Sequence, residues 1–248
     1  MSIIEIIFLS IVQGITEWLP ISSSGHLVIF ENWLGIEEAS LSFDVFLHVA
    51  TLVVILFFFR KQIWEILKTP LDKKDSNRKN WLWYIILSSA TTVLIALALY
   101  DSIDYFRTID SVGGWLIVTA ILLLSTKFVK GSKNIKWYHA IALGAIQGLA
   151  VVPGLSRSGA MIAIALVMKI KKSQAFDYAF IAAVPAIAGS FLLTMGDFVF
   201  NRWHLLGFII TVIISYLALN FLKLLLKRNY FYLFFIYTLA LGLIIKFI

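Results

Sequence analysis

Ten residues near the N-terminus, Glu17 to His26, bring together a carboxylate, three hydroxyls (Ser22, Ser23 and Ser24), Gly25 and an imidazole. These are the side chains on which general acid–base and nucleophilic catalysis draw. A second run, Pro153-Gly154-Leu155-Ser156-Arg157-Ser158-Gly159, supplies what the first lacks, a guanidinium beside two hydroxyls and two glycines. An arginine at a helix start can pair bidentately with a phosphate while the first free N–H groups point at the same anion. Plainer roles exist for each: Glu17 as an interfacial acid, the serines as helix caps, Arg157 as a snorkelling cation. Charged groups inside apolar segments are costly, however, and usually mark a substrate or proton path. Asp44 and His48, four apart on one helical face, either support the site from behind or form an interfacial pair.

The surrounding chain is membrane-like. Of its 248 residues 60% are hydrophobic and only 14% charged, with a mean hydropathy of +0.92. A soluble domain carries roughly 25% charge, so that class and disorder are both excluded. Cysteine is absent, which removes disulfides, thiolate nucleophiles and Cys-ligated metals. A cleavable signal peptide is not expected, because Glu5 stands where its positive charge should be. The net charge of +7 reads as orientation signal rather than nucleic-acid affinity.

Six segments are apolar enough to span a bilayer: about Phe43–Phe59, Trp81–Tyr100, Val112–Val129, Ala175–Met195, Leu205–Leu222 and Tyr230–Phe247. Two more, Ile3–Leu34 and Tyr138–Met168, are interrupted at Pro20–Gly25 and at Pro153–Gly159, and read as helix–break–helix hairpins that dip into the membrane. Arg60–Lys74, with Trp64 and Leu67, reads as a surface-lying amphipathic stretch. Under this parse 17 of the 21 cations fall on one side and only Arg107, Arg202 and Lys246 on the other. Both termini and the mouth of the first hairpin are therefore expected outside the cell, with the second hairpin opening to the cytoplasm.

The hairpins correspond in sequence. A shift of 134 lays Gln13-Gly14 on Gln147-Gly148 and Ser22-x-Ser24-Gly25 on Ser156-x-Ser158-Gly159; Phe43-Asp44 falls on Phe176-Asp177 one residue short of that register. Three spans separate the copies, so they must be inverted. The predicted fold is all-α: a single polytopic membrane domain over 1–248 with six transmembrane helices and two re-entrant hairpins, repeat one about 3–60 and repeat two about 138–196. Inverted repeats with broken helices commonly build a site near the midplane. The copies differ where chemistry needs them to: Ser23 lies opposite Arg157, Glu17 opposite Val151 and His26 opposite Ala160.

The Gln-Gly-x-Thr-Glu-x-Leu-Pro-x-Ser-Ser-x-Gly-His run at 13–26 and the Pro-Gly-x-Ser-Arg-Ser-Gly run at 153–159 resemble the undecaprenyl pyrophosphate phosphatases, bacterial membrane enzymes associated with bacitracin resistance. The resemblance covers the whole chain. It implies removal of the terminal phosphate from a C55 polyprenyl diphosphate in the plasma membrane, giving the carrier used in cell-wall synthesis; the cation asymmetry, separately, predicts a site open to the outer face. The resemblance further implies Glu17, Ser23, His26 and Arg157 as catalytic, and Ser22, Ser24, Gly154, Ser156, Ser158 and Gly159 as phosphate-binding. Asp44, His48 and Gln147 would support them. A divalent cation is implied at Glu17 and Gln13, Mg²⁺ or alternatively Ca²⁺. With Gln rather than Glu at position 13, that ion leans on the substrate's own phosphates. Ser23 activated by His26 is the preferred nucleophile; attack by His26 itself or by water stays open, as does a homodimer.

Other classes fit less well. One lipid-phosphate phosphatase class needs a histidine six residues after its arginine, where this chain has Ala163. An intramembrane serine protease would have no task for Arg157. The main alternative is a polyprenyl-phosphate transporter or flippase, for which inverted repeats are typical.

Overall fold

Ser2 opens the first helix with a reciprocal cap: its hydroxyl accepts the Glu5 N–H, and the Glu5 carboxylate accepts the Ser2 N–H. In the computed structural model, which describes residues 2–35, 41–68, 78–194 and 202–247, the helices that follow are α1 (Ile3–Thr16), α2 (Ser23–Leu34), α3 (Leu41–Phe58), α4 (Arg60–Lys68), α5 (Trp81–Leu99), α6 (Ile103–Phe106), α7 (Ile109–Ser125), α8 (Trp137–Leu149), α9 (Arg157–Val167), α10 (Lys172–Ile181), α11 (Ala183–Thr194), α12 (Arg202–Lys227) and α13 (Phe234–Phe247). The protein is all-α and polytopic. Lys73, Lys74, Met195 and Asp197 lie outside the described residues, as does the side chain of Asp44.

Among the described residues four helical stretches are long and apolar enough to cross a membrane: Trp81–Ser102, Ile109–Phe128, Lys172–Leu193 and Arg202–Lys227. They coincide with the second to fifth expected spans. The first expected span ends in a bend of 72° between α3 and α4, the point at which Arg60 and Lys61 would otherwise enter the hydrocarbon. The short α4 then lies across it with Trp64 and Leu67 exposed and Ile66 buried, matching the amphipathic stretch read from sequence. The sixth expected span is a helix over Phe231–Phe247, about 25 Å long and at the short end for a crossing. Pro185, which lacks an N–H, accounts for the interruption between α10 and α11.

Both hairpins break as the serine and glycine spacing predicts. Ser22 caps α2 by accepting the Gly25 N–H at 3.3 Å, and Ser156 caps α9 by accepting the Gly159 N–H at 3.1 Å. The outer legs are seated in matching ways. On α12, Gly207 stands against Ser10, Thr211 donates to the Ser10 carbonyl, and Ile214 presses on Gly14. On α5, Ser88 stands against Gly144, Thr92 donates to the Gly144 carbonyl, and Ile95 presses on Gly148. A Cβ at Gly14 would lie 2.9 Å from the Ile214 Cβ, and one at Gly148 2.6 Å from that of Ile95, so both glycines permit an approach no larger residue allows. The main core fills the space beneath the tips, where Trp18 packs on Phe180 and Phe180 on Phe59 and Phe176.

Candidate active site

Where α1 ends, its last turn projects Gln13 and Glu17 toward the start of α2. The Glu17 carboxylate is only 4% exposed and collects four donors. Its Oε2 accepts the Ser23 hydroxyl at 2.6 Å and the Gln13 amide at 3.2 Å, and stands 3.4 Å from His48 Nε2. Its Oε1 is paired with the Arg157 guanidinium from the first turn of α9. The two breaks thus meet at one carboxylate, with a hydroxyl, an imidazole and a guanidinium on it.

The tips are latched together behind this cluster. The Ser22 hydroxyl accepts the Gly154 N–H at 3.0 Å, and the Ser158 hydroxyl faces the Glu17 and Trp18 carbonyls at 3.4 Å each. Thr119 of α7 donates to the Gly154 carbonyl at 2.9 Å and accepts the Ser156 N–H at 3.1 Å. Gly25 and Gly159 let the tips touch: a Cβ on the first would sit 3.0 Å from the Gly154 nitrogen, and one on the second 2.9 Å from the Pro20 Cβ. Gly154 itself has φ +97°, a conformation L side chains rarely adopt. Ser22, Gly154, Ser156 and Ser158 therefore spend polar groups on holding the breaks in register. Ser24 stays 3.5 Å from Ser22.

The expected Ser23–His26 pairing is not made. Ser23 turns to Glu17, and both nitrogens of the buried His26 ring have other partners, Nδ1 the Ser22 carbonyl and Nε2 the Tyr237 hydroxyl, each at 2.7 Å. The reason is local. With α2 starting at Ser23, the imidazole one turn on folds back onto the N-cap carbonyl, while the non-helical break brings Glu17 up to Ser23. Gln147 lies in the α5–α8 seam, donating to Thr92 at 3.1 Å and to the Ala182 carbonyl at 3.3 Å. Asp44 lies on α3 one turn before His48. Sequence reasoning missed Thr119 and Tyr237. A hydroxyl in the middle of an apolar span was the signal available for each.

Among the described residues no three His, Asp or Glu side chains gather around a metal position. One observation nevertheless fits a hard cation shared with a substrate: Gln13 Oε1, beside Glu17, is buried and accepts no hydrogen bond from the described residues. An amide oxygen and a carboxylate oxygen suit partial coordination of Mg²⁺ or Ca²⁺, with phosphate and water completing the shell. Across the carboxylate, Arg157 Nη1 is likewise buried and has no hydrogen-bond partner among the described residues.

A helical membrane protein whose interrupted helices meet at a buried carboxylate–arginine–serine cluster is the class that fold and site define. The family described as bacitracin resistance protein BacA matches residues 6–244, and the chain belongs to it. Relatives named undecaprenyl-diphosphatase are 32% identical in Korarchaeum cryptofilum, 33% in Elusimicrobium minutum and 36% in Methanosphaera stadtmanae. These alignments cover 99%, 99% and 98% of this chain and 98%, 97% and 97% of the relatives.

Proposed function

We propose that this protein is a membrane phosphatase that hydrolyses undecaprenyl diphosphate to undecaprenyl phosphate and inorganic phosphate. One observation carries the reading: the Ser23 hydroxyl donates at 2.6 Å to a carboxylate that is itself paired with Arg157. Nucleophile, base and anion-binding group are then a single contact. The names of the full-length relatives support the same substrate.

The reaction follows from that contact. Ser23 Oγ attacks the distal phosphorus as its proton passes to Glu17 Oε2, and the bond to the bridging oxygen breaks to release undecaprenyl phosphate. Water then attacks the phosphoserine phosphorus, the P–Oγ bond breaks as Glu17 returns its proton to Ser23 Oγ, and inorganic phosphate leaves carrying both hydrogens of the water. Protonation of Glu17 removes the charge that holds Arg157, so the guanidinium is released to the phosphoryl oxygens as their charge develops. His48 steadies Glu17 Oε2 from the other side. A divalent cation, when bound at Glu17 and Gln13 Oε1, would neutralise diphosphate oxygens.

The wider reading joins these parts. The matched contacts of α1 on α12 and α8 on α5 support an inverted pair of repeats. The cation asymmetry supports both termini and the Glu17–Ser23 pocket outside, in the plasma membrane of a bacterial-type cell. Recycling of the lipid carrier for cell-wall synthesis and resistance to bacitracin would follow. The test is phosphate release from a long-chain polyprenyl diphosphate by purified protein in detergent with Mg²⁺. Release from wild type, lost in folded Ser23→Ala and Arg157→Ala, is expected. No release from folded wild type would overturn the phosphatase and leave a carrier-binding or flipping protein.

A further inference from the structure

Ser22 has φ +68°, uncommon for a residue with a side chain, and it immediately precedes Ser23. What braces it comes from the far end of the chain. The Ser22 carbonyl accepts both the backbone N–H of His26 at 3.1 Å and the ring Nδ1 at 2.7 Å. A carbonyl only accepts, so Nδ1 carries the proton; burial of the ring, 3% exposed, favours its neutral form, in which Nε2 is a bare acceptor. Its partner, the Tyr237 hydroxyl at 2.7 Å, must therefore donate. The two rings also stack, 8° from parallel with centroids 5.7 Å apart.

The scaffold fixes Tyr237 in that place. On α13, Gly242 meets Gly113 of α7 so closely that a Cβ on either would lie about 3 Å from the other's carbonyl oxygen. Val28 and Ile29 of α2 pack against the same two helices through Val112, Leu116 and Ile245. His26 is buried while Tyr237 is 46% exposed, so the phenol covers the open edge of the imidazole.

We propose that Tyr237 is a positioning residue for phosphoryl transfer. Its hydroxyl holds His26 in the Nδ1–H tautomer, and His26 in turn holds the strained Ser22 carbonyl that aims Ser23 at Glu17. The inference rests on the phosphatase reading for its kinetic test but not for its spectroscopic one. In the purified full-length enzyme, Tyr237→Phe keeps the stacked ring and loses the hydroxyl. It should lower kcat about 10-fold with KM within about twofold, the scale of one lost hydrogen bond. In a His26→Gln background the same change should have no further effect on kcat, because the chain is already cut. Additive losses in the two variants would overturn the proposal. Independently, ¹⁵N spectra of histidine-labelled protein should show His26 as the Nδ1–H tautomer, with its Nε2 resonance moved by Tyr237→Phe. An unmoved resonance would also overturn it. If folded wild type released no phosphate, the spectra alone would decide the Tyr237–His26–Ser22 link.

Discussion

Glu17 and Arg157, 140 residues apart, form an ion pair at the crossing of the two breaks, with side chains only 4% and 19% exposed. Removing one partner of such a pair strands the other in a medium that cannot solvate it, at about 3 kcal/mol or more. Arg157→Met should therefore lower the thermal midpoint in detergent. Glu17→Gln/Arg157→Met should recover most of that loss, since no lone carboxylate remains. Neither protein should release phosphate. A double variant as unstable as Arg157→Met would show that the pair is not what holds the breaks together.

Ser23 separates chemistry from stability differently. Its hydroxyl is one of four donors on Glu17, and it is only part-buried. Ser23→Ala should cost about 1–2 kcal/mol of stability but about 10³-fold or more in turnover. Acid quenching of the wild-type enzyme during turnover should trap a phosphoserine at residue 23. Stoichiometric turnover without any phosphoserine would shift the attack to water, with Glu17 as its base.

The backbone events were legible in the sequence because they are local. Proline, glycine and serine clusters mark the breaks at Pro20–Gly25 and Pro153–Gly159, and the helices restart there with Ser22 and Ser156 as the caps. The side-chain partners were less legible. The six-residue separation of Glu17 and Ser23 crosses non-helical backbone, so helical spacing could not show that they touch. Turn spacing pairs His26 with Ser23, whereas the fold gives it Tyr237, whose position depends on how α13 docks on α7 through Gly113 and Gly242. The turn after Phe58 was legible as well, because a surface-lying Arg60–Lys74 stretch must leave the direction of the span before it, although hydropathy gives no angle and the fold sets it at 72°.

Gly154 concentrates several constraints in one residue. Its φ is +97°, its N–H reaches Ser22, and its carbonyl receives Thr119. An alanine Cβ there would lie 2.5 Å from the Val112 carbonyl oxygen and 2.8 Å from the Trp115 Cβ. Strain and overpacking together should cost about 2–4 kcal/mol. Gly154→Ala should therefore lose stability and turnover together, whereas Gly189→Ala, inside α11 with open space around it among the described residues, should lose neither. Equal melting of Gly154→Ala and wild type would mean that the tips do not need this contact.

The membrane orientation can be read directly, because a chain without cysteine gives a clean background for single substitutions. Trp33→Cys and Tyr105→Cys should react with an impermeant maleimide on intact cells, and Phe128→Cys and Trp137→Cys only after permeabilisation. All four side chains are more than half exposed on the protein surface, and each lies at or next to a helix end. The fold adds an internal check. Arg107 pairs with Glu31 at 3.5 Å, which ties the Trp33 end of α2 to the turn carrying Tyr105, and these two must label alike. At the other side the Lys133 backbone is bonded to that of Lys169 and Lys171, joining the loop before Trp137 to the lysines before α10. Reversed labelling of all four would invert the protein and put the Glu17–Ser23 pocket on the cytoplasmic side. Trp33 and Tyr105 on opposite sides would contradict the packing itself.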